Sequence, residues 1–217
     1  MAGTAYHKLW APYKRQIVKP HALIIGEWAR PEFDVLCNQD QDWSWTEKVN
    51  GTNARVIWDG HKVRFGGRTD EAQMPIILHD VLTDMFPEEL LENQFHDTPA
   101  VLYGEGYGAK VASGSGVYRP DPGFVLFDVN VAGWWLEPDN VTLVGRQMGI
   151  ESVPIVFVGS VDEAISRVKD PVHFVSGWGN FQPEGLVGKP PSGLMGRDGD
   201  RLMIKIKVKD FPHDPGV

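Results

Sequence analysis

Trp45-Thr46-Glu47-Lys48-Val49-Asn50-Gly51-Thr52-Asn53-Ala54-Arg55 is the stretch on which the reading of this chain turns. A lysine ends one strand here, and a glycine-containing turn leads into the next. Held at such a junction beside other cations, a lysine gives up its proton more readily and its amine becomes a nucleophile. Taken alone, a lysine in a polar turn is ordinarily a solvated surface residue, so the surrounding chain has to decide. Just downstream, residues 54–58 and 62–66 flank Asp59-Gly60, a dipeptide suited to the positive φ angles of a tight hairpin turn. Apolar Ile77, Leu78, Val81, Leu82 and Met85 predict a helix over 75–86, and Pro87-Glu88-Glu89 opens a second short one. Residues 100–105 and 124–131 read as strands, separated by a Gly-, Ser- and Pro-rich segment over 106–123 that favours a long irregular loop. A helix over 138–148 and a strand over 155–158 follow, and Ser160-Val161-Asp162-Glu163 is a capping box starting a helix that runs to Lys169.

The final strand, 201–209, alternates. Leu202, Ile204, Ile206 and Val208 point one way, while Met203, Lys205, Lys207 and Lys209 point the other, so three ammonium groups share one face. Strands dominate with helices inserted between them. The expected class is α+β with mainly antiparallel sheets, in a single domain.

Composition bounds the function. The chain has 217 residues, with 21 Lys+Arg against 29 Asp+Glu and a formal charge of −8. Its 42% hydrophobic content and eight tryptophans suit a packed core and exclude disorder as the main state. A lone cysteine, Cys37, excludes a disulfide scaffold and fits a reducing compartment. No apolar run approaches the roughly 20 residues of a membrane helix, and the N-terminal segment lacks a signal-type apolar core. A soluble, cytoplasmic protein without a membrane partner is expected. Net acidity excludes indiscriminate polyanion binding, so any nucleic acid would meet a local basic patch. Residues 1–30 offer one, with Lys8, Lys14, Arg15, Lys19 and Arg30 against Glu27 alone, in what reads as a solvated basic segment.

Five further clusters carry chemistry. Lys205 and Lys207 could clamp a polyphosphate; an edge strand guarded by lysines is the plainer account. Glu184, before Gly185 and a strand, could hold a hard cation directly or through water. In Phe124-Val125-Leu126-Phe127-Asp128, alternation puts the aromatic and the acid on opposite faces unless the strand bends; Asp128, inside so apolar a run, must find a partner. Arg68, in Gly66-Gly67-Arg68-Thr69-Asp70, suits phosphate. Glu105, in Tyr103-Gly104-Glu105-Gly106-Tyr107-Gly108, suits a sugar hydroxyl. The Gly-x-Gly runs form no dinucleotide fingerprint, and the seven histidines show no zinc-ligand spacing.

Together and in this order, these segments resemble the nucleotidyltransferase motifs of the covalent lysyl-nucleotide superfamily of RNA ligases, DNA ligases and mRNA capping enzymes, nearest to the T-even-phage RNA ligase 2 family. Glu47-Lys48-Val49-Asn50-Gly51-Thr52-Asn53 resembles the nucleophile motif, with Asn50 where His or Asp is frequent. Arg68-Thr69, Gly104-Glu105-Gly106, Phe127-Asp128, Glu184-Gly185 and Lys205-x-Lys207 resemble the later motifs, and the match extends over 45–209. The resemblance implies an adenylation domain of the ATP-grasp-like/ligase type over 1–217. It implies Lys48 as nucleophile, an ATP site of Glu47, Asn50, Asn53, Arg68, Glu105, Phe127, Glu184, Lys205 and Lys207, and Mg²⁺ or Mn²⁺ held by Asp128 and Glu184. The implied activity is an ATP-dependent RNA ligase of RNA repair, joining a 5′-phosphate to a 3′-hydroxyl through lysyl-AMP. A nucleotide- or RNA-end-binding module without turnover and a GTP-using capping-type transferase are the alternatives. Eight residues follow Lys209, so no C-terminal OB-fold or accessory domain is expected, and a separate substrate-binding protein is a candidate partner.

Overall fold

The computed structural model describes residues 5–38, 42–170, 172–191 and 193–211. The first residues of the basic segment, 1–4, and the tail, 212–217, lie outside the described residues. In chain order the elements are β1 (Tyr13–Arg15), β2 (Leu23–Trp28), α1 (Pro31–Cys37), β3 (Trp43–Glu47), β4 (Thr52–Trp58), β5 (Val63–Gly66), α2 (Ile76–Met85), α3 (Glu88–Phe95), β6 (Ala100–Tyr107), β7 (Gly123–Val131), β8 (Trp134–Trp135), α4 (Pro138–Met148), β9 (Ile155–Gly159), α5 (Val161–Lys169), β10 (Gly185–Lys189) and β11 (Ile204–Lys207). The α+β class with antiparallel sheets is as expected. By contacts the chain groups into two compact units. Unit 1 comprises Asn50–Val153 together with residues up to Tyr6, and unit 2 comprises His7–Val49 and the chain from Pro154 onward.

Unit 1 is built on an antiparallel sheet of order β5-β4-β6-β7-β8. Period-2 alternation sends Ala54, Val56 and Trp58 of β4 and Leu102 of β6 to one face, where Leu78 and Leu82 of α2, Leu91 of α3 and Val141 and Val144 of α4 pack against them. Each fully buried Leu or Val contributes about 1.5–3 kcal/mol to this core. The β4–β5 hairpin forms as expected, but its turn is shifted by one residue. Gly60, not Asp59, takes the left-handed conformation at φ +102°, and the Asp59 side chain accepts from the amides of His61 and Lys62. Asp59 thus serves as an Asx brace and leaves the positive φ to glycine. Helix α4 runs as expected from Pro138 to Met148, with Gly149 at φ +70° closing it.

Unit 2 has an antiparallel sheet of order β11-β10-β3-β9 and a separate two-stranded ribbon, β1-β2. Trp43 and Trp45 stack at 6.0 Å, and Trp45 stacks on Phe157 at 6.0 Å. Beneath them Val161, Ala164 and Val168 of α5 close the core, and the Ser160 hydroxyl caps α5 by accepting from the Glu163 amide at 3.1 Å.

Two expectations are corrected in this unit. The last strand ends at Lys207, because the chain turns into a 3₁₀ segment over Val208–Asp210 that drops Phe211 into the core. Lys209 therefore leaves the face shared by Lys205 and Lys207. The basic N-terminal segment is solvated over 14–22, as expected, but residues 13–28 fold as a ribbon and not as a loose arm. Arg30 pairs with Asp198 at 2.7 Å and Glu32 at 3.1 Å, Arg15 with Asp210, and Lys14 with Glu27 at 3.3 Å. Among the described residues no helix is long and apolar enough to cross a membrane. Burial, reinforced by Asp162, pushes the Cys37 thiol up to about 12, which removes it as a thiolate nucleophile.

Candidate active site

In unit 2, alternation along β3 buries Trp43, Trp45 and Glu47 and turns Ser44 and Thr46 to the opposite face. The Lys48 amide continues the ladder onto the Gly185 carbonyl at 2.8 Å. Gly185 in turn pairs with Lys207, and Val187 with both Lys205 and Thr46. Lys48, Lys205 and Lys207 therefore project from one face of the sheet. A Cβ on Gly185 would fall 2.0 Å from the Ile206 carbonyl oxygen and 2.8 Å from the Lys207 Cα. Glycine is what lets β11 approach closely enough for both flanking lysines to reach one acid.

That acid is Glu184. Lys48 Nζ donates to its Oε2 at 2.6 Å, and Lys207 Nζ donates to its Oε1. Burial alone would push the Glu184 carboxyl up; the two ammonium groups outweigh it and hold the group below the ordinary carboxyl value. The sequence reading surrounds Lys48 with cations. The structure instead sets an anion directly against it, with Lys207 on the anion's far oxygen. Lys189 lies on the same face and is buried; its alternation with Val187 and Gly185 was the available signal.

Glu47 faces the other way. Its carboxylate accepts from the Ser176 hydroxyl at 2.7 Å and the Gly177 amide at 2.9 Å, and burial raises its pKa against the pull of those two bonds. It anchors the turn at 176–178 from the core side, and the structure does not bring it to the Lys48 amine.

In unit 1, the sheet face opposite the helices collects most of the other candidates. Asn53 pairs with Glu105 and Arg55 with Tyr103, while Glu105 pairs with Val125 and Tyr103 with Asp128. The register then slips, from Tyr103↔Asp128 to Gly104↔Leu126, leaving Phe127 as an extra residue in β7. This β-bulge is the bend that strict alternation lacks. As a result Phe127 and its neighbour Asp128 both meet Tyr6, the first ring to ring at 5.0 Å, the second by accepting the Tyr6 hydroxyl at 2.8 Å. Asp128 is fully buried, so its expected partner is a phenol. Sequence inspection missed Tyr6, and nothing local marks it.

Asn53 Oδ1 is buried with no hydrogen-bond partner, an acceptor that a ligand donor would satisfy. Asn50 donates its side-chain amide to the Ser113 carbonyl at 3.0 Å, and its backbone N–H to the Tyr118 hydroxyl at 3.3 Å. It therefore ties down the irregular loop after β6. Arg68 is exposed, on a loop pinned from below by the fully buried Arg55, which donates to the Gly67 carbonyl at 2.6 Å and to Asp70 at 2.7 Å. Arg55 was overlooked as well. Its signal was the one that flagged Asp128, a charge inside an apolar strand.

The glycine of the nucleophile motif has a steric cause. A Cβ on Gly51 would stand 2.1 Å from the Gly106 carbonyl oxygen and 2.8 Å from Glu105 Cγ. Gly51→Ala should cost roughly 1–3 kcal/mol through this overpacking, read as a lower urea midpoint with an unchanged m-value; an unshifted midpoint would show that β6 yields freely.

Among the described residues no three His, Cys, Asp or Glu side chains cluster as a ready metal site. What the structure does assemble is a lysine pair sharing one carboxylate, and a separate polar sheet face holding Asn53 and Glu105 beside Phe127. An antiparallel α+β fold with these features defines a nucleotidyltransferase-type catalytic domain. The sequence profile of the RNA ligase family matches residues 41–207, and the chain belongs to that family.

Solved structures with the same fold include Naegleria gruberi RNA ligase variants. One, with ATP and Mn, has 18% identity and a TM-score of 0.62 over 80% of this chain and 53% of that one. Another, with AMP and Mn, has 17% identity and a TM-score of 0.63 over 82% and 52%. The same ligase with PPi aligns at 20% identity and TM-score 0.61 over 80% and 51%. The chain thus spans about half the length of these ligases. No curated protein matches it.

Proposed function

We propose that this chain is the adenylating core of an ATP-dependent RNA ligase, with residues 1–217 serving as one nucleotidyltransferase domain. The observation that carries the reading is the shared carboxylate, Lys48–Glu184–Lys207, on one face of the sheet. Lys48 Nζ, after losing a proton to solvent, attacks the α-phosphorus of ATP; an N–P bond forms and the P–O bond to pyrophosphate breaks. The adenylate passes to a 5′-phosphate RNA end, and a 3′-hydroxyl then displaces AMP to seal the strand. Lys205 and Lys207 neutralise phosphate charge as it develops. Arg68 binds phosphate or ribose, Glu105 the ribose hydroxyls and Phe127 the adenine face. Asn53 donates its amide N–H groups to the α-phosphate, and its buried, unpartnered Oδ1 accepts from a donor on the bound ligand. Glu47 and Asn50 support the site indirectly, one through the 176–178 turn and the other through the loop it tethers.

Mg²⁺ or Mn²⁺ bound with ATP would supply charge neutralisation of the leaving pyrophosphate. Of the two acids implied as its ligands, Glu184 fits: it is partly exposed, and its Oε2 is released once Lys48 gives up its proton. Asp128 fits only if Tyr6 is withdrawn from it. Cytoplasmic RNA repair suits the lone, protonated cysteine, and a separate protein that grips RNA is a candidate partner.

Intact-mass measurement tests the reading. Purified protein given ATP and Mg²⁺ should gain one adenylyl group, and competition between ATP and GTP should leave the adenylyl adduct dominant. Guanylyl adduct in its place would favour a capping-type transferase. Nucleotide binding with no adduct at any metal or pH would favour a binding module.

A further inference from the structure

Lys205 and Lys207 ride on the outermost strand of the unit 2 sheet, and an outer strand is the most weakly held. Strand β11 is four residues long, pairs with β10 on its inner side and gives way at once to the 3₁₀ segment. Its two ammonium groups leave the same face about 7 Å apart along the strand and repel each other. The free edge is closed by one residue of the N-terminal segment. Trp10 lies in a parallel bridge beside Ile204. The Lys205 amide donates to the Trp10 carbonyl at 2.8 Å, and the Trp10 amide donates to the Met203 carbonyl at a longer 3.4 Å. The shorter bond falls on the residue whose side chain is to meet phosphate.

Trp10 is itself pinned. Lys8 Nζ stands 3.8 Å from the centre of its ring and Arg30 Cζ 5.3 Å, within the reach of cation–π attraction. The buried Arg30 guanidinium is held in turn by Asp198 and Glu32. Asp198 belongs to the hairpin that leads into β11, closed by bonds from the Gly196 amide to the Asp200 carbonyl at 2.7 Å and from the Leu202 amide to the Leu194 carbonyl at 2.9 Å. His7 Nδ1 meets Asp200 Oδ1 of the same hairpin at 3.1 Å. The N-terminal segment thus grips both the approach to β11 and the strand itself, all within unit 2. The buried indole N–H of Trp10 finds no acceptor among the described residues, so the ring acts through its faces and not through its polar edge. Resting on the RNA ligase reading, we propose that Trp10 is a positioning residue for adenylation: its backbone fastens the free edge of β11 and so fixes Lys205 against the phosphates of ATP.

Single-turnover adenylation of the full chain at saturating ATP and Mg²⁺, followed by intact mass, tests this. Trp10→Ala should slow the reaction about tenfold, short of the roughly 10²-fold that a 1 Å misplacement costs. Trp10→Phe keeps a ring face for Lys8 and Arg30 and should return the rate to within about twofold of wild type. In a Lys205→Ala background the further change Trp10→Ala should cost less than about twofold, because Trp10 acts through that lysine. Hydrogen exchange at the Lys205 amide should quicken about tenfold in Trp10→Ala as the edge opens. If Trp10→Ala does not fold, Trp10→Leu, which fills much of the volume without a π face, takes its place with the same pattern expected. A wild-type rate in the variant, or an undiminished tenfold cost in the Lys205→Ala background, would overturn the proposal. So would a smaller adenylated fraction at an unchanged rate, which would make Trp10 a stabilising residue only. AMP uptake by the wild type alongside any of these results would leave the ligase reading standing, whereas wild-type protein that takes up no AMP would sink that reading and the role of Trp10 with it.

Discussion

Given ATP and a divalent metal, Lys48→Ala should emerge from intact-mass measurement with no adenylyl adduct, and sealing of a nicked RNA should fall at least about 10⁴-fold, the scale seen when a covalent nucleophile is removed. Neighbouring lysines offer no replacement. Lys207 is engaged with the far oxygen of Glu184, and Lys205 leaves the sheet two residues earlier, opposite Val187. Lys48→Arg should be equally inactive, because a guanidinium keeps the charge but does not shed its proton at accessible pH. Together the two variants separate nucleophile from cation: a merely electrostatic role for Lys48 would survive in the arginine variant. An adduct mapped by peptide digestion to any other lysine would end the assignment.

The second large effect is expected at Glu184. Glu184→Gln keeps the shape of the side chain but removes the anion that Lys48 and Lys207 share. The two ammonium groups then repel, and the Lys48 amine loses the bond that aims it. Misplacement of a reacting group by about 1 Å costs on the order of 10²-fold, and that is the fall expected in single-turnover adenylation; a wild-type rate would remove Glu184 from the mechanism.

The same variant has a signature in stability. The folded-state pKa of Glu184 is depressed, so its pairing contributes fully above the unfolded value of 4.5 and is lost as pH falls through the lower folded value. Wild-type denaturation should therefore show a decline in stability below pH 4.5 that is smaller in Glu184→Gln. An identical acid limb in both proteins would mean that the pair does not persist in solution.

Much of this arrangement was legible in the sequence because local chemistry marks it. Pro138 and Gly149 bracket α4, Ser160 caps α5, and period-2 alternation places Lys205 and Lys207 on one face. The unread parts depend on partners distant in the chain. Tyr6 and Asp128 are 122 residues apart, and Arg30 finds Asp198 across 168; neither pairing leaves a local trace. The bulge at Phe127 is a slip of register between strands, and each strand alone still looks regular. The early end of β11 answers to the burial of Phe211, a packing demand from beyond the strand. Glu47 illustrates the opposite hazard. The resemblance places it in the ATP site with Lys48, but adjacent residues on a strand face opposite ways, and its carboxylate meets Ser176 and Gly177.

The way the chain passes between its two units also sets a schedule for synthesis. Asn50–Val153, nearly the whole of unit 1, is one uninterrupted stretch and can fold as it leaves the ribosome. Strand β3, which delivers Lys48, is made before it, yet both strands that β3 pairs with, β9 and β10, are made after it. The strand that leads into Lys48 must wait unpaired while an entire sheet is translated in the interval. Its closure is a long-range, slow step, so the Lys48–Glu184–Lys207 arrangement forms only after the strands of unit 1 have been made.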